Sequence, residues 1–183
     1  AGAFVLESLE SAQERGATIY AEILGGAINN GGQRNGGSMT APNSSAIQKC
    51  IKDALKVSNT AASEIDYING HLTATIKDPD EIENWTHALG RKGKDFPYIN
   101  SLKGMTGHCL SASGSVEIVS AILQLHEGFV FPNVNRENLH PKIASLISSE
   151  KISLKMQKTS LQTIVKASFG FGDVNACVIF KKI

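Results

Sequence analysis

The stretch from Phe96 to Gly128 constrains this chain more than any other. Phe96 to Asn100 reads as a short strand. Ser101-Leu-Lys103-Gly-Met-Thr-Gly-His108 is too rich in glycine and polar side chains to continue it, and reads as a tight turn. Behind the turn, Ala112-Ser-Gly-Ser115 opens a helix with little side-chain bulk, so another backbone or a ligand can come close. Val116, Val119, Ile122 and Leu123 then recur at helical spacing, and Ile118, Ala121 and Leu125 widen the apolar face nearly all the way round. Such a helix belongs in the middle of a fold. Strand, turn and buried helix together define an α/β unit. They bring Lys103 and His108 to the end of a strand beside a helix amino terminus, where unpaired N–H groups favour negative charge. Chemistry that builds up an oxyanion suits that place.

The rest of the chain reads in the same terms. Ala3 to Ser8 is expected as a strand, Leu9 to Arg15 as a short helix closed by Gly16, and Thr18 to Ala27 as a second strand, the three forming one α/β unit. Ile28 to Asn43, crowded with Asn, Gly and Ser, is expected as a long surface loop. The helix predicted from Ser44 to Val57 turns Ile47, Cys50, Ile51, Ala54 and Leu55 toward the core. A strand at Tyr67 to Gly70 delivers His71 at its end, and Asp78-Pro-Asp-Glu81 caps a helix that holds Ile82, Trp85 and Leu89 and stops at Gly90. Val130 to Pro141 is irregular. Thr163 to Ser168 and Val174 to Phe180 are β-branched runs joined by Phe169-Gly-Phe-Gly-Asp173, a spacing that predicts an antiparallel hairpin.

Composition removes several function classes. With 183 residues, 42% of them hydrophobic, the chain can bury a substantial core as one unit spanning 1–183. A formal net charge of +1 gives no electrostatic case for nucleic acid or an anionic membrane. No apolar run reaches the roughly 18 residues that a membrane span needs. The opening Ala-Gly-Ala-Phe-Val-Leu-Glu has neither an initiator Met nor a basic leader and reads as a strand cut at its start, hence a fragment. Cys50, Cys109 and Cys177 are odd in number and widely spaced, which fits a reducing cytoplasm better than a disulfide framework, and no pair has zinc-ligand spacing.

His71, Lys103 and His108 sit at or just beyond strand ends, where α/β sheets gather functional groups. Two imidazoles donating N–H to one point can polarise a thioester carbonyl and hold the enolate left when an adjacent carboxylate departs as carbon dioxide. A satisfied core or turn histidine is the plainer reading for any one of them, and it is kept for His87, His126 and His140. Thr73 and Thr75 alternate, so in an extended segment both hydroxyls face one way, toward the amides of a pantetheine arm; taken alone they are also ordinary β-formers or caps. The glycines around Phe171 let the backbone turn sharply and aim a main-chain N–H into a site, although a plain hairpin loop has the same composition.

Gly70-His71-Leu-Thr73-Ala-Thr75, Ser101-Leu-Lys103-Gly-Met-Thr-Gly-His108 and Ser168-Phe-Gly-Phe171-Gly, in this order and across essentially the whole chain, resemble the carboxy-terminal half of the β-ketoacyl-acyl-carrier-protein synthases, closest to the type II elongating enzymes of fatty acid synthesis. The resemblance implies a thiolase-like α/β half with a five-stranded mixed sheet covered by helices, packed in the complete protein against an amino-terminal half. It implies decarboxylative Claisen condensation of an acyl thioester with a malonyl-carrier protein, in fatty acid or polyketide synthesis. His71 and His108 match the two active-site histidines and Lys103 the lysine held near Glu117. Thr73 and Thr75 match the pantetheine-contacting threonines, and Phe171 the gate whose N–H helps form the acyl oxyanion hole. With one inserted residue allowed, Asp80 and Glu83 match an acidic pair. It further implies a cytoplasmic homodimer that works with acyl carrier protein, with no metal and no cofactor beyond the carrier's phosphopantetheine.

None of the three cysteines matches the family nucleophile, which lies in the amino-terminal half, so the chain by itself is expected to be inactive. Cys109 beside His108 suggests a Cys–His hydrolase only weakly, because sequence neighbours seldom have that geometry. Two departures stand out. Leu72 is bulky where the family approaches the substrate arm, and Asp173 adds charge near the gate. A non-catalytic partner like the chain-length factors is the alternative. A thiolase, which shares a run like Gly107 to Gly114, ranks below condensation because the phenylalanine-glycine loop replaces its late cysteine loop.

Overall fold

A computed structural model describes residues 1–183. In chain order the elements are α1 (Leu9–Glu14), β1 (Glu22–Asn30), α2 (Ser44–Val57), β2 (Tyr67–Asn69), α3 (Asp78–Leu89), β3 (Tyr98–Asn100), α4 (Lys103–Thr106), α5 (Ser113–Glu127), β4 (Phe129–Val130), α6 (Pro141–Leu146), β5 (Gln157–Lys158), β6 (Thr163–Gly170) and β7 (Val174–Lys181). Five strands pair in the order β1-β7-β6-β2-β3, while β4 and β5 form a separate small pair. The predicted hairpin is the antiparallel β6–β7 pair, and β7 also pairs antiparallel with β1. β2 runs parallel to both β6 and β3. The sheet is therefore mixed and five-stranded, as expected.

Strand alternation divides the core into two layers. Ile68, Val165, Ala167 and Ile179 face Ile47, Cys50, Ile51 and Ala54 of α2 and Ile82, Trp85 and Leu89 of α3. Tyr67, Ile164 and Phe180, one step along each strand, face Ala121 and Leu125 of α5. α2 has the predicted bounds, and Asn43 caps it by accepting the Ala46 N–H at 2.8 Å. α3 ends on Gly90 in the left-handed conformation, the stop read from the sequence. Burial raises the Cys50 thiol to about 11 and raises that of Cys177 as well, so both are packing residues.

Three expectations fail. Ala3 to Ser8 is not a strand: no other segment offers it a ladder, and Val5 and Leu6 stand exposed. The following strand spans Glu22–Asn30 rather than Thr18 to Ala27, because its partner β7 extends to Val174 and the Asn29 and Asn30 amides pair along it. The early segments consequently form no α/β unit of their own. α5 is apolar as read, yet only its sheet side is covered: Ala121 and Leu125 are buried while Leu123 is 44% exposed. No helix is long and apolar enough to cross a membrane.

A buried polar network fixes the sheet edge that carries the site. Tyr67 on β2 bonds Asn100 on β3, and its hydroxyl accepts from Asn69 at 2.9 Å and from Gln124 of α5 at 3.0 Å. Asn100 in turn donates to Gln124 at 3.0 Å. These bonds set how β2, β3 and α5 meet, with Asn69 Oδ1 the one buried atom of the network that finds no partner.

Candidate active site

β2 ends at Asn69, and His71 lies two residues on. The backbone there is held from below by α3: Glu81 accepts the His71 and Leu72 N–H groups, each at 2.8 Å, through its two oxygens. One turn earlier, Asp78 gathers the N–H groups of Thr73, Ala74 and Thr75 at 3.0, 3.0 and 3.3 Å. The segment is thus a turn rather than extended, with Ala74 at a φ of +57°. The threonine hydroxyls nevertheless end on the same side, 3.2 Å apart.

On the neighbouring strand, β3 runs into α4, and Gly107 at a φ of +72° lets the chain reverse and present His108 before α5 begins. The His108 Nδ1 accepts the Leu110 N–H at 3.0 Å and lies 3.0 Å from the Ser113 hydroxyl. With Nδ1 accepting, Nε2 is the ring nitrogen left to donate. Ser101 Oγ donates to the Leu72 carbonyl at 2.9 Å and ties the two loops together.

These elements bring His71 and His108 together, with ring centroids 5.4 Å apart in an edge-to-face arrangement. Phe169 stands 6.3 Å from His71 on the other side. Burial, then the charges of Lys103 and Lys166 and the neighbouring His108, lower the His71 imidazole to about 3, so the ring is neutral.

Behind the histidines lies a buried ion cluster. Lys103 Nζ is 2.5 Å from Glu117 Oε1, and Lys166 on β6 sits 2.7 Å from Oε2, off the line of a good hydrogen bond. Lys166 also bonds the Ala167 carbonyl and, at 3.1 Å, Ser168 Oγ. All three charged residues are buried, and burial lowers the Lys166 ammonium from its ordinary value. Two ammonium groups around one carboxylate leave the cluster with an excess positive charge, which disfavours protonation of His71.

A cavity of about 880 Å³ collects His71, Thr73, Thr75, His108, Phe169 and Phe171, with residues 35–44 as the facing wall. Phe171, 69% exposed, sits on the turn between β6 and β7. Lys103 and Glu117 support the cavity from behind.

Four assignments from the sequence are corrected. Glu83 does not support the site: it points outward and pairs with Lys142 at 2.9 Å, as Asp80 does at 3.1 Å. The acidic residues that hold the histidine loop are Asp78 and Glu81. Leu72 does not approach the cavity but packs into the core beside Ile82. Asp173 does not turn its charge into the cavity beside Phe171; it is fully buried and faces the 31–43 segment. Lys166 was missed altogether, although a lysine inside the run Thr163-Ile-Val-Lys-Ala was the signal. The three histidines read as structural lie outside the cavity, and His140 caps α6 by accepting the Lys142 N–H at 3.2 Å.

A mixed five-stranded sheet that presents two histidines from parallel neighbours at one cavity defines a thiolase-like α/β half. The chain belongs to the β-ketoacyl synthases: the family model described as Beta-ketoacyl synthase, C-terminal domain matches residues 20–137. The 3-oxoacyl-[acyl-carrier-protein] synthase 1 of Haemophilus influenzae is 38% identical over 97% of this chain and 41% of its own length. The Escherichia coli (strain K12) protein of that name is 37% identical over 100% of this chain and 42% of its own length. Among solved structures, a complex described as a type II PKS acyl-carrier protein with its ketosynthase bound to the hexaketide matches with a TM-score of 0.85 and 31% identity, over 97% of this chain and 42% of that one. The chain thus spans about two fifths of the length of the curated relatives it matches.

Proposed function

We propose that this chain is the carboxy-terminal half of a 3-oxoacyl-acyl-carrier-protein synthase, which joins an acyl chain to the two-carbon unit of a malonyl-carrier protein by decarboxylative condensation. The observation that carries this reading is the pair of imidazoles, His71 and His108, 5.4 Å apart in one cavity. The names of the relatives support the same reaction class.

In this reading the acyl chain first rests as a thioester on a cysteine of the amino-terminal half. His71 and His108 donate N–H to the carbonyl oxygen of the malonyl thioester. The bond to the carboxylate breaks, carbon dioxide leaves, and the electron pair becomes an enolate whose oxygen the two donors hold. The enolate carbon attacks the acyl carbonyl, the Phe171 N–H steadies the new oxyanion, and the cysteine thiolate departs as the carbonyl re-forms. Loss of carbon dioxide replaces proton abstraction, so the site needs neutral donors rather than a strong base. Lys103 and Glu117, with Lys166, keep the field positive where the enolate charge develops. Thr73 and Thr75 offer their hydroxyls to the pantetheine amides.

Acyl carrier protein is the partner this chemistry requires, and the carrier-bound neighbour structure supports it. The open face formed by Phe4, Val5 and Leu6 with Val119, Ile122 and Leu123 receives the amino-terminal half, through which the protein dimerises. The three free cysteines support a cytoplasmic location. A non-catalytic chain-length partner would have no use for paired histidines above a buried lysine cluster. The test is to supply the full-length protein with acyl- and malonyl-carrier proteins: a 3-oxoacyl-carrier product formed with one carbon dioxide supports the reading, and no product overturns it.

A further inference from the structure

Asp173 is an unusual residue in an ordinary-looking turn. Its φ of +66° is a conformation that side-chain-bearing residues avoid, and it is completely buried. Its carboxylate is taken up by the segment across the cavity mouth. Oδ1 accepts the Asn43 N–H at 2.9 Å, and Oδ2 accepts the Asn43 side-chain amide at 2.8 Å and the Gln33 N–H at 2.9 Å. The main chain adds to this: the Asp173 carbonyl accepts the Gly31 N–H at 2.9 Å, and the Gly172 N–H donates to the Met39 carbonyl at 2.8 Å. The wrapping is close. A Cβ on Gly31 would lie 2.1 Å from Oδ2, and one on Gly37 would lie 2.7 Å from it.

Residues 31–43 contain little regular structure and four glycines that make ordering costly, so something must hold them in place. Charge-assisted hydrogen bonds to a buried carboxylate do so, and removing the carboxylate would strand buried donors. The same carboxylate belongs to the turn that carries Phe171, next to Gly172.

We propose that Asp173 is a positioning residue that fastens the Phe171 turn to the 31–43 wall, so that the two sides of the cavity mouth are held as one body. It acts on substrate only through Phe171 and that wall. The inference rests on the proposed condensation reaction only where acyl transfer is concerned.

The experiment is amide hydrogen exchange on the full-length protein with Asp173→Gly, Asp173→Asn and Gly37→Ala. Glycine adopts a left-handed φ freely and asparagine keeps a side chain that tolerates it, so loosening common to Asp173→Gly and Asp173→Asn comes from the lost carboxylate rather than from turn strain or added backbone freedom. Exchange in both 31–43 and 170–174 should rise about tenfold or more in the two Asp173 variants, with 67–89 unchanged. Gly37→Ala, which crowds Oδ2 from the opposite wall, should raise exchange at 170–174 and so tests the link even if an Asp173 variant fails to fold. In acyl-transfer assays, KM for the acyl-carrier protein should rise severalfold while kcat changes less. Unchanged protection, or loosening of 31–43 without 170–174, overturns the proposal. If the parent protein shows no acyl transfer but the coupled exchange appears, the fastening stands and the proposed reaction fails.

Discussion

Glu81 Oε1 accepts the backbone N–H of His71 at 2.8 Å, so the position of this histidine is set through its main chain from the first turn of α3. The other oxygen holds Leu72 in the same way. Glu81→Gln keeps one acceptor and turns an amide donor against the second N–H, which should cost about 1–3 kcal/mol. Burial pushes the Glu81 carboxyl up from 4.5 to about 7. A raised folded value means that this contribution to stability is fully present below 4.5 and is lost as pH climbs through about 7. Urea midpoints should therefore show a loss of stability across that window in the parent that is absent from Glu81→Gln.

His71 has the opposite sign. Burial first, then Lys103, Lys166 and His108, lower its ring from 6.5 to about 3. The unfolded chain takes up a proton that the folded site refuses, so stability falls as pH drops from 6.5 toward 3. Between 4.5 and 6.5 the His71 and Glu81 slopes oppose one another, and Glu81→Gln should uncover the acid loss that belongs to His71. Ring resonances of His71 followed by NMR should show no titration from about pH 5 to 9.

Glu117 has two ammonium partners, and this makes the lysines mutually redundant for folding. Lys103→Met or Lys166→Met alone leaves the carboxylate paired. Removing both strands it in the interior, and the second substitution should then cost about 3–5 kcal/mol whichever lysine goes first. Chemical unfolding of the two single variants and the double variant checks this, and additive small losses would show that Glu117 is not shared.

Elements whose residues carry their own signals were legible in the sequence. α2, α3 and the β6–β7 hairpin follow from apolar period, Gly90 and the spacing of β-branched runs. The meeting of His71 and His108 was legible in part, because each lies beyond a strand end, two residues past β2 and eight past β3, and parallel neighbours put those ends side by side. Ala3 to Ser8 was not, since a strand exists only where a partner offers hydrogen bonds, and an apolar sequence looks the same without one. Glu83 is not interchangeable with Glu81, because two residues carry a helical side chain about 200° around the axis, from the buried side to solvent. Thr73 and Thr75 were placed together for the wrong reason: the left-handed Ala74, not an extended chain, aligns them. Lys166 and Asp173 were unreadable as partners, because their counterparts lie 49 and 130 to 140 residues away.

Carbon dioxide release from malonyl-carrier protein by the full-length protein bears most directly on the paired imidazoles. His71→Ala and His108→Ala should each slow it about 10²- to 10³-fold, the loss expected for one donor to a developing oxyanion, while acyl transfer to the enzyme persists at least in part. Undiminished release from both variants would contradict the assignment.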